Sequence, residues 1–294
     1  MITTATHKDI PQLKELLVSC FNADAAELER FFTRKFKKFV PENTVVYREN
    51  GEITAVLYLW DAQLVCAGKR HSASYIYAAS TREDKRKQGI MGRLIEEAAR
   101  LSSQRGQAFL FLSPANAGLY NYYNKCGFSI AFYYKELCFS RETLTKIADK
   151  NARVNIASPD GKELSVLREN FFQRADGISW SAHAIDYAIA TLTHENGELV
   201  ALEQEGKLCA YAFVDTKTGT VSECAANAGF FPAIAAELLR VCHVSEYRFM
   251  LPADFPLTAE NFVLQPVGML RPLSDDAKEV MGILKNAYLG LTLG

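Results

Sequence analysis

The residues most able to do chemistry form a basic, glycine-containing loop between a predicted strand and a predicted helix. Residues 78–92 read Ala-Ala-Ser-Thr-Arg-Glu-Asp-Lys-Arg-Lys-Gln-Gly-Ile-Met-Gly. A helix N-terminus carries free backbone N–H groups and a partial positive charge. Glycine lets an anion approach such a backbone closely, and the loop's lysines and arginines add positive charge. The pattern therefore predicts a cradle for a phosphate or pyrophosphate group.

Two widespread phosphate-binding motifs do not fit this loop. A P-loop places a lysine and then a serine or threonine after its glycine, whereas Ile90 and Met91 follow Gly89 here. A dinucleotide-binding fingerprint needs three spaced glycines at the turn from strand to helix, and the loop lacks them. Judged on charge alone, the segment is also typical of a solvated charged loop before an ordinary amphipathic helix.

The loop resembles the pyrophosphate-binding motif of the GNAT superfamily of acyl-CoA-dependent N-acyltransferases. That motif reads Arg or Gln, two variable residues, Gly, one variable residue, and Gly or Ala. Arg86 and Gly89 match it. Met91 stands where Gly or Ala is usual, with Gly92 one place later. This departure bears on how closely the start of the helix packs on the pyrophosphate.

A second segment resembles a later motif of the same superfamily, at the expected distance. Asn116 lies seven residues before Tyr123, and Gly127 follows Tyr123 by four residues and precedes Phe128. In relatives the sheet splays beside the acyl-CoA, the strand corresponding to residues 77–81 hydrogen-bonds the pantetheine arm, and the tyrosine protonates the departing thiolate. The resemblance thus implies acetyl-CoA as cosubstrate and Tyr123 as the catalytic acid. The cofactor-binding residues it implies are Ala79, Ser80, Thr81, Arg86, Lys87, Gln88, Gly89, Ile90, Met91, Gly92 and Asn116.

Tyr123 has two neighbouring tyrosines on the same predicted helix. Tyr120 lies one turn earlier and shares its face, which favours a packing role for Tyr120, whereas Tyr122 points elsewhere. A phenol suits the acid role because its reference pKa of about 10 is not far from that of a thiol, about 8.5. We therefore expect Tyr123 to keep its proton until the thiolate forms.

Hydrophobic periodicity indicates the elements that position these residues. Predicted in chain order are a helix over 8–20, a helix over 24–36, a hairpin over 44–60, a strand over 72–79, a helix over 90–101, a strand over 108–113, a helix over 115–125 and a strand over 128–139. The hairpin turns at Asn50-Gly51, a pair that accepts the positive φ of tight turns. This order predicts an α/β (α+β) fold whose sheets are mixed, mostly antiparallel and flanked by helices.

The second half of the chain repeats part of the first. Residues 45–55 have a counterpart at 200–210, and Gly51 and Gly206 occupy the same turn position 155 residues apart. Later elements follow in the same order: a strand over 220–226, a helix over 232–242 and a strand over 247–251. Residues 225–232 pass from strand to helix without a basic, glycine-rich loop, so no second phosphate cradle is predicted.

This tandem arrangement resembles the first two domains of the enhanced intracellular survival family. We predict a GNAT acetyltransferase domain over 1–145 and a degenerate GNAT-like domain over 146–294, divided in the charged segment between about 141 and 158. The second domain either forms a wall of the acceptor site or only buries one face of the first. Relatives carry a third, sterol-carrier-like domain that delivers the terminal carboxylate to the active site. The chain ends before such a domain, and Gly294 in that role is a hypothesis.

Composition indicates a folded cytoplasmic protein. The 294 residues are 49% apolar, enough to bury a large core, and 33 basic against 34 acidic residues give a net charge of −1. Without a positive field, binding to nucleic acid or to a membrane surface is not expected. No apolar run approaches the roughly 18 residues of a membrane helix, and the start of the chain lacks the apolar core of a secretory signal.

Cysteine and histidine spacing gives no metal site. The 7 cysteines and 5 histidines are scattered along the chain. No pair shows the close spacing of a structural zinc site or a redox motif. Reduced, mostly buried thiols and no bound metal are therefore predicted.

The predicted function is direct transfer of the acetyl group of acetyl-CoA to a primary amine. An aminoglycoside-like antibiotic, a polyamine, an amino acid and a protein lysine all stay open as acceptors, as does homo-oligomerisation. The alternative is a non-catalytic acyl-CoA-binding regulator or assembly module, against which Tyr123 and Asn116 argue.

No base is assigned among the carboxylates near the motifs, Glu83, Asp84 and Glu136. Aromatic residues that either line the acceptor pocket or belong to the core are Phe31, Phe32, Tyr58 and Trp60.

Overall fold

The computed structural model describes residues 1–33, 39–172, 175–255 and 263–292. The chain divides into two compact units. Unit 1 comprises residues 1–131 and 268–284, and unit 2 comprises residues 132–267 and 285–294. The units thus divide at residue 131, whereas the sequence-based division lies at residue 145, and a late segment of the chain returns to unit 1.

Unit 1 is a mixed sheet with helices packed on it. Its strands are β1 (Ile2–Thr4), β2 (Thr44–Glu49), β3 (Glu52–Cys66), β4 (Lys69–Thr81), β5 (Phe109–Leu112) and the end of β13 (Val263–Pro272). Its helices are α1 (Ile10–Phe21), α2 (Ala25–Phe32), α3 (Ile90–Gln104), α4 (Leu119–Lys125) and α9 (Asp275–Ile283). The sheet follows the order β1, β2, β3, β4, β5, β13, in which β4 and β5 are parallel and the other neighbouring pairs antiparallel.

Two clusters of buried side chains show that both faces of this sheet are covered. Val45 and Leu57 pack in the cluster that contains the buried face of α3, whereas Val46 and Tyr58 pack in the cluster that contains α1. Successive residues of a strand point to opposite faces, so strands covered on both faces are apolar throughout. This explains the nearly unbroken apolar run of residues 53–60.

Unit 2 repeats this architecture. Its strands are most of β6 (Ser129–Ser140), then β7 (Asn155–Ile156), β8 (Gly177–Ser179), β9 (Gly197–Gln204), β10 (Lys207–Asp215), β11 (Thr220–Ala225) and β12 (Glu246–Leu251). Its helices are α5 (Arg141–Ile147), α6 (Gly161–Phe172), α7 (Ala182–His194) and α8 (Phe231–Val241). As in unit 1, one neighbouring pair among the named ladders, β11 with β12, is parallel, and β6, β7, β9 and β10 pair antiparallel with their neighbours.

The first hairpins of the two units share fine detail. Asn50 and Gly51 turn with φ +51 and +86, and Glu205 and Gly206 turn with φ +52 and +73. Both hairpins also carry a register shift at the same place, since β3 shifts between Ile53 and Ala55 and β10 shifts between Leu208 and Ala210. A turn and a bulge that both recur 155 residues later are what a duplicated fold predicts, so the predicted tandem fold class is confirmed.

Predicted and observed elements of unit 1 agree within a few residues, with one late start. The helix predicted over 24–36 is α2, Ala25–Phe32, and residues 34–38 lie outside the described residues. The helix predicted over 115–125 begins only at Leu119. Three elements of unit 1 have no predicted counterpart: strand β1, strand β13 and helix α9.

Candidate active site

Strand β4 departs from regular pairing just before the basic loop. Val56 pairs with Ser80 and Tyr58 pairs with Tyr77, so β4 holds one more residue than β3 between these pairs. Ala78, inside the interval, has φ +46. The extra residue is a β-bulge, which bends its strand and re-aims the local backbone groups.

Strands β4 and β5 also part at this point. Their parallel register ends at the pair Tyr75 and Phe111, while β4 continues to Thr81 alongside β3. Ala79 packs against the cluster under α3, and the hydroxyl of Ser80 is buried with no hydrogen-bond partner among the described residues. The parting and the bulge fall in the segment 77–81 for which the resemblance implies a splayed strand, and its contact with a pantetheine arm stays a prediction.

Gly89 forms the junction between the loop and helix α3. It has φ +72, a left-handed conformation that glycine adopts at no steric cost, and it caps the helix. The amide of Arg93 donates to the carbonyl of Gly89 at 3.2 Å. The backbone N–H groups of Ile90, Met91 and Gly92 precede this bond and are therefore outside the helix's own ladder. These three groups and the helix dipole lie where the sequence predicts a phosphate cradle, and phosphate binding there stays a prediction.

Met91 fits this cradle although it departs from the motif. Its side chain packs against the apolar cluster under α3, and Ile90 beside it is buried in the same cluster. Residues 90 and 91 thus present their backbone to an anion and their side chains to the core. Gly92 lies next to Tyr122, since a Cβ on it would be in ordinary van der Waals contact with the hydroxyl oxygen of Tyr122, 3.8 Å away.

Two loop cations are already paired within unit 1. Arg82 contacts Glu52 at 2.9 Å and Asp84 at 2.7 Å, and Lys85 contacts Glu49 at 2.5 Å. The hydrogen bond from Arg82 holds the pKa of Asp84 below its ordinary value, and that from Lys85 does the same for the pKa of Glu49. These pairs fold the loop against the β2–β3 hairpin and neutralise its carboxylates.

Arg86 and Lys87 remain for a ligand. Neither forms an ion pair within the part of the chain that the structure describes, and both are exposed. The Nε of Arg86 donates to the carbonyl oxygen of Thr81 at 3.1 Å, which fixes the side chain and leaves its terminal nitrogens for another acceptor. The side-chain amide of Gln88 donates to the carbonyl of Asp84 at 3.3 Å and braces the turn.

Arg93 is a further cation at the cradle, and the sequence analysis missed it. Its Nη1 donates to the carbonyl oxygen of Gln88 at 3.3 Å and lies 3.8 Å from where a Cβ on Gly89 would be. Its guanidinium also lies over the ring of Tyr47, 5.4 Å from the centroid. The signal was available, because a residue four places after Gly89 returns to the same face of the helix.

Replacing both Arg86 and Lys87 by Gln should weaken acetyl-CoA binding about tenfold, because two exposed phosphate contacts together contribute on the order of 1.4 kcal/mol. Lys85→Gln is the matched control, since this lysine is already paired with Glu49 and its loss should change the Kd by less than about threefold. Calorimetric titration at low ionic strength measures both. Equal effects of the two changes would contradict the division of the loop into paired and available cations.

Helix α4 carries Tyr123 and begins after a turn made by Asn116. The Oδ1 of Asn116 accepts from the amide of Gly118 at 3.0 Å, and its carbonyl accepts from the amide of Leu119 at 3.1 Å. Asparagine favours such turns because its side chain replaces a backbone acceptor. Asn116 therefore sets the first residue of the helix, and the cofactor contact that the resemblance implies for it stays a prediction.

The side chain of Tyr123 is 9% exposed and belongs to the same cluster as Ile90. Its ring packs edge-on against Tyr122 and Phe128, with centroids 5.3 and 6.0 Å away. Within the described chain its hydroxyl forms no hydrogen bond, yet it is not one of the fully buried unpartnered oxygens. The ring is thus fixed by packing, and within the described residues the hydroxyl has no hydrogen-bond acceptor that would hold its proton.

Burial raises the pKa of Tyr123 above its ordinary value, and the neighbouring thiol of Cys126 adds to the effect. Burial likewise raises the pKa of Tyr122, again with a contribution from Cys126. Both phenols are therefore kept protonated at neutral pH. Its helical position predicted that Tyr122 points away from the site. In the structure Tyr122 is instead partly buried, and its hydroxyl lies next to Gly92 at the start of α3.

The other candidates have structural roles in the described residues. Phe31 and Tyr58 are buried, with ring centroids 4.7 Å apart, and Trp60 is buried as well, which favours the core interpretation. Phe32 packs against the same cluster.

Among the carboxylates, Asp84 is paired with Arg82, Glu136 lies 3.7 Å from Arg248 in unit 2, and Glu83 is exposed. Gly294 lies outside the described residues.

The second unit shows how the cradle is lost. At the start of α8 the Oδ1 of Asn227 accepts from the amides of Gly229 and Phe230, at 3.0 and 3.2 Å. Pro232 in the first turn has no N–H to offer, and Phe231 before it is buried. The helix start is therefore satisfied by its own chain, which agrees with the predicted degeneration of the second copy.

Over residues 1–33, 39–172, 175–255 and 263–292, no three His, Cys, Asp or Glu side chains gather as metal ligands. In those same residues the helices fall short of the length and apolar content that crossing a bilayer requires.

Comparison with known proteins gives a family for the first part of the chain. Residues 1–131 match the family model described as an acetyltransferase (GNAT) domain. No curated protein is significantly similar to this sequence. The match covers the loop and helix of the cradle as well as Tyr123.

Solved structures of similar fold extend over both units. A GCN5-related N-acetyltransferase from Kribbella flavida is 18% identical with a TM-score of 0.72, over 94% of this chain and 73% of that one. A GCN5-related N-acetyltransferase from Anabaena variabilis is 16% identical with a TM-score of 0.75, over 93% and 73%. Eis1 from Mycobacterium abscessus is 13% identical with a TM-score of 0.69, over 94% and 75%. At these identities the likeness concerns the fold, and it spans the tandem arrangement.

Proposed function

We propose that this chain is an N-acetyltransferase that moves the acetyl group of acetyl-CoA to a primary amine by direct attack, since residues 1–131 match the acetyltransferase (GNAT) domain model. The observation that carries the proposal is the meeting of two features in one cluster of unit 1. Ile90 and Met91 hold the start of α3 in that cluster, and Tyr123 is buried in it. A phosphate cradle and a protonated phenol are the two groups that this reaction needs from the protein.

The cradle fits the pyrophosphate of an acyl-CoA. It offers the backbone N–H groups of the first helical turn, and around them stand Arg86, Lys87 and Arg93. The first turn of α3 contains no acidic residue that would repel a phosphate. The parted strand β4 supplies backbone groups for a pantetheine arm, which needs amide donors and acceptors along one edge. Acetyl-CoA is therefore the proposed cosubstrate.

The proposed reaction needs one proton from the protein. The neutral amine nitrogen attacks the thioester carbonyl carbon, and the carbon–sulfur bond then breaks. The sulfur leaves with the bonding electrons and takes the proton of the Tyr123 hydroxyl, while the new amide nitrogen loses its extra proton to solvent. The phenolate of Tyr123 regains a proton from solvent before the next turnover. Binding both reactants in one site lowers the barrier by removing the entropy cost of bringing them together.

Acetyl transfer should become faster as the pH rises from about 6 to 9, because more of the acceptor amine is then neutral. Burial raises the pKa of Tyr123, so the acid form persists throughout this range and the rate should not fall again below about pH 10. Thiol release measured across this range at saturating acetyl-CoA checks the profile. A fall with an apparent pKa near 8 would mean that the acid is a group other than this buried phenol.

A calorimetric titration with acetyl-CoA tests the cosubstrate, with acetyl-pantetheine, which lacks the pyrophosphate, as the comparison ligand. We expect acetyl-CoA to bind and acetyl-pantetheine to bind about a hundredfold more weakly, since the cradle contacts are charge-assisted. Equal Kd values for the two ligands would mean that the start of α3 does not bind the pyrophosphate. Binding of acetyl-CoA without transfer to any amine would favour an acyl-CoA-binding regulator.

A further inference from the structure

Arg271 belongs to unit 1 although it follows Tyr123 by 148 residues in the sequence (271 − 123 = 148). The end of strand β13 pairs antiparallel with β5, placing Arg271 opposite Leu110. Its neighbours Met269 and Leu270 are buried, and Met269 joins the cluster that contains Tyr123. The backbone of Arg271 is therefore fixed in the sheet beside the candidate active site.

The side chain of Arg271 connects helix α3, whose start forms the proposed cradle, to helix α4, which carries Tyr123. Its Nη1 and Nη2 contact the two carboxylate oxygens of Glu96 on α3 at 2.7 and 2.9 Å. The same Nη1 donates to the carbonyl oxygen of Cys126, at the end of α4, at 3.0 Å. The side chain of Arg271 is only 19% exposed. One guanidinium thus connects Glu96, near the middle of α3, with Cys126, the residue that caps the end of α4.

Gly127 in the second motif is explained by this arginine. Gly127 has φ +82, and a Cβ on it would lie 3.3 Å from the Nε of Arg271. A side chain at this position would be strained and would press on the guanidinium. The motif glycine is therefore the place where the end of α4 closes over Arg271.

From these contacts we infer that Arg271 is a positioning residue, which fixes α4 on α3 and thereby sets the distance between Tyr123 and the phosphate cradle. This role rests on the proposed function. A planar guanidinium can satisfy a carboxylate with two nitrogens and still donate to a carbonyl, whereas the single ammonium of lysine cannot hold the same fork. Small displacements of a reacting group lower a rate strongly, by up to about a hundredfold for 1 Å.

Arg271→Met should therefore lower kcat for acetyl transfer about tenfold while changing the Kd of acetyl-CoA by less than about twofold. Arg271→Lys, which keeps the charge but not the fork, should fall between wild type and Arg271→Met. The matched control is Arg100→Met. It removes a contact of 2.6 Å between Arg100 and Glu97, both on α3, and among the described residues the Arg100 side chain forms no ion pair with α4. Its kcat should equal that of the wild type.

Two readouts decide whether Arg271 acts through Tyr123. In a Tyr123→Phe background, Arg271→Met should cost less than about twofold in kcat, because residues that act as a unit are not additive. A full tenfold loss in that background overturns the inference. Hydrogen exchange of the backbone over residues 119–131 should be faster in Arg271→Met and unchanged in Arg100→Met. Unchanged exchange in Arg271→Met also overturns it.

The exchange experiment separates this inference from the proposed function. If the wild-type protein transfers no acetyl group, the proposed function fails, and exchange over residues 119–131 still decides whether Arg271 holds α4. If Arg271→Met does not fold, as judged by thermal unfolding, Arg271→Lys carries the same comparison because it keeps the charge and most of the side-chain volume. Faster exchange in that variant supports the inference, and wild-type exchange with wild-type kcat overturns it.

Discussion

A Tyr123→Phe variant should bind acetyl-CoA with the Kd of the wild type and transfer its acetyl group about a hundredfold more slowly, the usual size of a lost general acid. The ring of Tyr123 is held by edge-on contacts with Tyr122 and Phe128, and phenylalanine keeps these contacts. Only the hydroxyl is removed, and it forms no hydrogen bond within the described residues, so the fold should be unaffected. Calorimetry measures the Kd, and thiol release measures kcat.

Tyr122→Phe is the control for this variant, since Tyr122 is adjacent, partly buried and also has a raised pKa. We expect its kcat to stay within about threefold of the wild type, because a residue outside the reacting groups contributes little to the barrier. If Tyr122→Phe shows the large loss and Tyr123→Phe does not, the acid is Tyr122. If neither variant is slower, no phenol of α4 protonates the thiolate.

Gly89→Asp should weaken acetyl-CoA binding by about a hundredfold or more, because like charges brought together cost several kcal/mol. The new carboxylate would stand at the start of α3, beside the N–H groups of Ile90 and Met91. The glycine's φ of +72 adds strain for any side chain, with only Arg93 within 4 Å of the new Cβ. Calorimetric titration measures the loss.

Two controls separate charge from strain in this variant. Gly89→Asn has nearly the same shape without the charge, and asparagine tolerates positive φ, so its Kd should rise by less than about tenfold. Gly106→Asp places the same residue at φ +74, in open space after the other end of α3, and should leave the Kd unchanged. Equal losses in Gly89→Asp and Gly89→Asn would assign the effect to strain and would contradict the phosphate cradle.

Sequence patterns predicted the elements around the proposed cradle because these elements are set by neighbouring residues. A strand, a basic loop, Gly89 and an amphipathic helix follow one another within a few residues, and the structure has them in that order. The duplication was visible for the same reason, since the turns at Gly51 and Gly206 are fixed by neighbouring residues. The sequence could not show whether Met91 keeps an anion away from the start of α3. The structure shows that its side chain packs against the core.

Long-range contacts were not predictable in this way. Arg271 reaches unit 1 through a strand whose partner, β5, lies in the first half of the chain, and no periodicity links the two. The division of the loop cations also depends on contacts with Glu49 and Glu52 in a hairpin earlier in the chain. The late start of α4 follows from a local turn at Asn116, which the helical pattern concealed. Pairing across sequence distance is thus what the sequence alone could not supply.

The two units differ at the start of the corresponding helices α3 and α8. The start of α3 follows a glycine in the left-handed conformation and leaves its first amides outside the helical ladder. The start of α8 is closed by Asn227 and by Pro232. Since the surrounding strands correspond in order, this difference is confined to a few residues at one junction of strand and helix. That contrast supports the cradle as a built feature of unit 1.

Amine-dependent acetyl transfer is measured by combining thiol release from acetyl-CoA with mass analysis of the acceptor. The purified protein would be tested on a panel of polyamines, aminoglycosides, amino acids and lysine peptides, with Tyr123→Phe in parallel. We expect at least one amine to gain a single acetyl group at a rate matching thiol release, and Tyr123→Phe to be slower. Thiol release that is the same with and without amine, or none despite bound acetyl-CoA, would contradict the account.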